Sequence, residues 1–273
     1  MFEARQKGQS VGLVPTMGAL HQGHLSLLSA SQKENSLSVC SIYVNPTQFD
    51  NPTDLAKYPR LLEEDLSLLE AKGCDAVFAP SDREMYPLGF KPALSIDFGR
   101  LEQVMEGKYR KRHFNGVGIV VSKLFHIVQP DRAYFGQKDL QQYAVIHQMV
   151  NDLSFSVELR RCHIIREDDG LALSSRNLRL SDSERAIASS LYEALRLAAD
   201  MLREGKSLGE IKHKAIAHIS KHRDFKVEYF EFASLPSLEP MEELEGGSEL
   251  AICVAAHLGS VRLIDNMIVG PAQ

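Results

Sequence analysis

Five short apolar runs, separated by segments of helical period, constrain this chain more than any other feature of it. The runs are 10–15 (SVGLVP), 37–44 (LSVCSIYV), 76–79, 132–135 and 156–162. The first three stop at Pro15, Asn45-Pro46 and Pro80, where proline removes a ladder donor and restricts the residue before it. Segments 24–35, 61–71, 114–128 and 140–153 carry their apolar residues at helical spacing. Strands alternating with helices require right-handed crossovers, and so a parallel sheet with helices on both faces. Residues 1–163 are therefore expected to form an α/β, doubly wound, Rossmann-like domain. The pattern then changes. A long amphipathic helix over 181–202 opens with the cap signal Ser-Asp-Ser-Glu, a second helix covers 208–222, and strands follow at 227–232, 250–256 and 261–264. Residues 164–273 thus read as a smaller α+β domain.

In a doubly wound sheet, ligands bind beyond the carboxyl ends of the strands. Four segments fall there or open the second domain. The first is Thr16-Met17-Gly18-Ala19-Leu20-His21-Gln22-Gly23-His24. His24 opens a helix, whose exposed N–H groups and dipole favour an anion. Two glycines allow close backbone approach, and two imidazoles three apart can both donate to phosphate oxygens. Neither the dinucleotide-binding glycine pattern nor the P-loop pattern is present. In isolation, His21 and His24 could be surface histidines or half a metal site. The second is Phe135-Gly136-Gln137-Lys138-Asp139. Lys138 could neutralise phosphate, Asp139 could be no more than a helix cap, and Gln142 lies one turn further on. The third is 166–177 (REDDGLALSSRN), where Ser174, Ser175 and Arg176 form a phosphate-binding set or an ordinary solvated loop. The fourth is 43–49 (YVNPTQF), where Asn45 and Gln48 suit the hydroxyls and carboxylate of a small polar substrate. The basic run 108–113 (KYRKRH) reads as a solvated loop, or as an entry for an anionic substrate, and His218 and His222 read as surface residues.

Composition excludes some classes. Net charge is −5, a poor match to nucleic-acid binding. The four cysteines, Cys40, Cys74, Cys162 and Cys253, form no Cys-x-x-Cys pair, so neither a zinc cluster nor a redox pair is indicated and reduced thiols fit. No apolar run approaches the roughly 18 residues that would span a bilayer, and no signal segment opens the chain. A cytoplasmic protein, bound to neither membrane nor nucleic acid, is expected.

Taken together, PTMGALHQGH, YVNPTQF, YPR, FGQKDLQQ, DGLALSSRN and the late LIDN at 263–266 resemble the pantothenate synthetase family. That family belongs to the nucleotidyltransferase superfamily that also holds the class I aminoacyl-tRNA synthetases. The resemblance runs from about Val11 to Asn266. It implies ATP-dependent condensation of D-pantoate with β-alanine through a pantoyl-adenylate, releasing pyrophosphate and AMP. It implies that Met17 to His24 line the ATP site, with His21 and His24 on the phosphates and His24 the nominee for general acid. It implies Gly136 to Asp139 on ATP, Lys138 on the phosphates and Asp139 near the ribose. Ile165 would meet adenine by backbone, Leu173 to Arg176 would close over the phosphates, and Gln48 and Gln142 would hold pantoate, with Gln48 beside β-alanine. His21, His24, Lys138 and Arg176 would carry the catalytic charge. Magnesium is expected to ride mainly on the ATP phosphates. No protein ligand is assigned to it, Glu64 and Asp65 being weak candidates. Asp169-Gly170 suits a lid. A homodimer is implied by resemblance alone. Members usually carry a longer segment before the first strand; here ten residues precede Val11, so either the start lies upstream or an edge element is missing, which bears on stability more than on chemistry. The competing readings are another nucleotidyltransferase, a non-catalytic nucleotide-binding protein, and a metal hydrolase using His21 and His24.

Overall fold

The computed structural model describes residues 2–90, 94–243 and 249–270. The chain divides into two compact units, the first formed by residues 1–137 and 141–163, the second by residues 138–140 and 164–273.

The first unit holds α1 (Phe2–Gln6), β1 (Val11–Thr16), α2 (Gln22–Glu34), β2 (Leu37–Ile42), α3 (Pro52–Lys57), α4 (Leu62–Ala71), β3 (Ala76–Phe78), α5 (Asp82–Met85), α6 (Met105–Tyr109), α7 (His113–Val128), β4 (Arg132–Gly136), most of α8 (Leu140–Asp152) and β5 (Glu158–Cys162). Its sheet has the order β3-β2-β1-β4-β5, every neighbouring pair parallel. This is the doubly wound α/β arrangement expected from the alternating runs. β1 and β2 are buried along nearly their whole length, which is why they read as continuous apolar runs. α2 packs on β1 and β4 through Leu25, Leu27 and Leu28, which join Val14, Cys40, Ile42, Leu69 and Tyr134 in one apolar cluster. The order of connections reverses between β1 and β4, so the crevice rule for such sheets points to the carboxyl ends of those two strands, at Thr16 and Gly136.

Four short helices, α1, α3, α5 and α6, carry too few turns to show a periodic apolar face and are not indicated by the sequence pattern. Local capping accounts for two of them. Asn51 caps α3 with Pro52 at its first position, and Ser81 and Glu84 close a capping box on α5.

The second unit contains α9 (Asp182–Ile187), α10 (Ser190–Arg203), α11 (Leu208–Ile219), β6 (Phe225–Ser234), β7 (Leu250–Leu258) and β8 (Val261–Val269). The strands form an antiparallel sheet in the order β6-β7-β8. α10 and α11 lie on this sheet and bury Leu191, Leu195, Leu202, Ile211 and Ile219 against Phe230, Phe232, Ile252 and Val254. The single helix expected over 181–202 is two. Ala188 and Ser189 interrupt it but keep helical dihedrals, so the break is a turn within the helical region. The predicted cap is present, Ser181 and Glu184 closing a capping box.

Candidate active site

In the first unit, the site is built on the turn that leaves β1. Gly18 has φ +79° and Ala19 has φ +50°, so the chain reverses through two left-handed residues. A Cβ on residue 18 would stand 2.8 Å from Asp65 Oδ2, which only glycine avoids. Asp65, on α4 and buried, accepts the N–H of Ala19 at 2.9 Å and that of Leu20 at 2.7 Å. Thr16 Oγ1 accepts from Gly18 N and donates to Ser41 O at 2.7 Å. The turn is thus held from both sides before the histidines are reached.

His21 is the N-cap of α2. Its Nδ1 accepts the N–H of Gly23 at 3.1 Å and its side chain also caps the N–H of His24, whose Nδ1 in turn accepts the N–H of His21 at 3.3 Å. Two imidazoles therefore form a reciprocal capping box, with ring centroids 4.0 Å apart. A nitrogen that accepts cannot carry the proton, so each neutral ring holds its hydrogen on Nε2. The arrangement turns two histidines into oriented donors at a helix N-terminus, where anions are favoured.

The segment after β2 lies beside this turn. Gln48 Nε2 contacts Met17 Sδ at 3.2 Å, and Gln48 Oε1 accepts from Asn45 Nδ2 at 3.1 Å. Asn45 faces inward. Its amide also donates to Gly116 O, and its Oδ1 accepts from Tyr86 OH at 2.9 Å and from Thr47 Oγ1 at 3.0 Å. Asn45 therefore holds Gln48 in place and makes internal bonds through both amide atoms. α7 comes so close that a Cβ on Gly116 would stand 2.5 Å from Thr47 O. Gln142 is half-buried on α8. Its neighbour Gln141 is buried and structural, bonding Leu101 O, Val104 O and Glu106 N.

In the second unit, Lys138 Nζ lies 3.9 Å from Asp139 Oδ2, with Asp139 about half exposed. Residues 165–173 form a small antiparallel hairpin, with Leu173 N bonded to Ile165 O and Arg166 bridged to Ala172. Arg185 pairs with Glu167 at 2.6 Å and with Asp169 at 2.5 Å, holding the Asp169 carboxyl below the usual carboxylate range. Asp169 also accepts from Leu171 N. These two ion pairs and the Leu171 N–H brace the segment that carries Asp169 and Gly170. Beyond it, Ser174 caps a 3-10 turn over Ser175–Arg179 by accepting from Arg176 N. Ser175 is buried, and Ser174 and Arg176 are half-buried.

A family model for pantoate-beta-alanine ligase matches residues 1–268. The chain belongs to the pantoate-beta-alanine ligase family. It is 46% identical to a pantothenate synthetase of Cytophaga hutchinsonii over 98% of this chain and 95% of that one. The pantothenate synthetase of Thermus thermophilus superposes with a TM-score of 0.90 at 42% identity, covering 96% of this chain and 94% of that one. A pantoate-beta-alanine ligase of Francisella tularensis, solved with beta-gamma ATP and beta-alanine, gives 0.80 at 36% identity, with coverage of 96% and 90%.

For a member of the pantoate-beta-alanine ligase family, several residues carry duties that their types did not reveal. Asp65, a weak metal candidate by sequence, braces the first turn. The basic run 108–113 is not simply solvated. His113 is buried with Nδ1 against Gln48 O at 2.8 Å, and Arg110 meets its Nε2 at 3.0 Å. Lys108, Lys111 and Arg112 are exposed. Burial pushes the Cys40 thiol up to about 12, in keeping with an inert reduced cysteine. Among the described residues, no group of three or more His, Cys, Asp or Glu is arranged to hold a metal ion, and no helix is long and apolar enough to cross a membrane.

Proposed function

We propose that this chain joins D-pantoate to β-alanine in two steps. The pantoate carboxylate attacks the α-phosphorus of ATP, forming a pantoyl-adenylate and releasing pyrophosphate. The β-alanine amine, deprotonated, then attacks the acyl carbon, forming the amide bond and expelling AMP. The observation that carries the reading is the reciprocal histidine cap at the switch point of the sheet.

The first step brings two anions together, and local positive charge and donors must offset their repulsion. His21 and His24 offer Nε2–H groups to the phosphates. Lys138 and Arg176 supply full charges, while Gly136, Gln137, Asp139 and Ile165 line the nucleotide. Leu173, Ser174 and Ser175 cover the phosphates. Gln48 and Gln142 hold pantoate, and Asn45 acts through Gln48. A magnesium ion would add charge neutralisation. Both Asp65 oxygens already accept main-chain N–H groups, so the reading places that ion on the phosphates of ATP. The adenylate is a mixed anhydride that water would destroy, so coverage of the site serves its lifetime. A homodimer is the assembly this reading favours.

The test is AMP release from ATP and magnesium with D-pantoate, with and without β-alanine. AMP and pantothenate should accumulate together only with both substrates. His24→Ala should lower adenylation by about a hundredfold, the scale of losing one charge-stabilising donor. AMP formation that ignores pantoate, or an unimpaired His24→Ala enzyme, would count against the proposal.

A further inference from the structure

We infer that Asp265 and Asn266, in the LIDN segment of β8, are positioning residues that set Lys138 and the Ser174–Arg176 turn for their work on the phosphates. The inference rests on the reading of Lys138 and that turn given under Proposed function.

Successive strand residues normally point to opposite faces, yet Asp265 and Asn266 are both buried, at 4% and 3% exposure. β8 is an edge strand of its sheet, so nothing in the sheet itself calls for a buried acid and amide there. Each is engaged with a segment that carries proposed ligand contacts. Asp265 takes Arg166 by both oxygens, at 2.6 and 3.0 Å. Arg166 starts the hairpin that leads to Ser174. Its guanidinium also donates to Gly170 O at 3.0 Å and to Asn266 O at 3.3 Å, and lies 4.0 Å from the ring centroid of Tyr192. Both terminal nitrogens of this cation are held within the protein, and they tie the hairpin to β8. Asn266 donates its amide to Lys138 O at 3.0 Å, while its own N–H is given to Asp265 Oδ1 at 2.8 Å. One dipeptide therefore sets the backbone from which the Lys138 side chain reaches out, and the root of the arm that ends in Arg176.

A buried ion pair is weak evidence of added stability and is better understood as fixing one geometry among several. Positioning at this level matters for rate, because a displacement of about 1 Å can cost up to about a hundredfold.

The experiment is pantoate-dependent exchange of pyrophosphate into ATP, measured for Asn266→Ala, Lys138→Ala and the double variant. Asn266→Ala should slow exchange by about tenfold or more, with KM for pantoate within about twofold, since Lys138 and not the pantoate contacts is displaced. In the Lys138→Ala background the second substitution should do almost nothing, because the group it positions is already gone. A purely destabilising role would instead multiply the two losses. Asp265→Asn should raise KM for ATP and leave that for pantoate. Where Asn266→Ala fails to fold, Asn266→Ser carries the same test, its side chain being too short to reach Lys138 O. Wild-type exchange in a folded Asn266 variant, or losses that multiply, overturns the inference. Wild-type exchange in Lys138→Ala would instead overturn the role given to Lys138, and the Asn266 half of the inference with it.

Discussion

Asp65 shows how one buried carboxylate can fix the shape of a turn. Ala19 and Leu20 present adjacent N–H groups in a left-handed turn, and both end on this buried acid. Leaving a buried N–H unmet costs about 1–3 kcal/mol, so the turn stays closed only while both oxygens accept. Asp65→Asn replaces one acceptor with an NH2 donor facing an N–H. It should lower the melting temperature and reduce adenylation by about tenfold or more, since His21 follows directly on the displaced turn. Thermal melting and pyrophosphate exchange read the two effects. A variant with unchanged exchange would show that the turn finds its shape without the brace. The histidines depend on the same local order. Each imidazole accepts main-chain hydrogen bonds through Nδ1, which fixes the orientation of both rings.

At the scale of elements, the approach of α7 to the 46–48 turn decides where Gln48 stands. Gly116 has no side chain because Thr47 O and Gln48 Cα occupy the space, and Asn45 links both partners by bonding Gln48 Oε1 and Gly116 O. Gly116→Ala must push the helix or the turn aside, an overpacking cost of about 1–3 kcal/mol. It should raise KM for pantoate several-fold more than KM for ATP. Equal changes in both constants would show that Gln48 does not depend on this contact. The helix period was visible in the sequence for α2, α4, α7, α8, α10 and α11, because each carries a repeating apolar face. It was not visible for α1, α3, α5 and α6, which are too short to show a period; caps define α3 and α5. The break at Ala188 and Ser189 was also hidden, since helical dihedrals run on across it.

For the molecule as a whole, acid sensitivity follows from carboxylates paired in the folded chain. Arg160 holds the Glu34 carboxyl down in the first unit, and Arg185 does so for Asp169 in the second. Both bind protons more weakly folded than unfolded, so unfolding takes up protons in the acid range. Their contribution is complete above the ordinary carboxylate value of about 4 and is lost as pH falls through the lower folded values. The melting temperature should therefore drop between about pH 5 and about pH 3. Arg160→Ala and Arg185→Ala should each flatten that drop, and curves parallel to wild type would argue against these pairs as its source.

The sequence by itself determined the parallel sheet of the first unit, the family, and the identity of the polar residues grouped in its motifs, because periodicity and spacing are local properties of the chain. The tertiary structure alone decided the duty of each polar residue. Asp65 and Ala19 are 46 positions apart, Arg166 and Asp265 are 99, and Lys138 and Asn266 are 128. Hydrogen-bond partners so distant leave no trace in local pattern. Two neutral amides such as Asn45 and Gln48 are therefore alike in sequence, and only partner geometry shows that Asn45 bonds both Gln48 and Gly116.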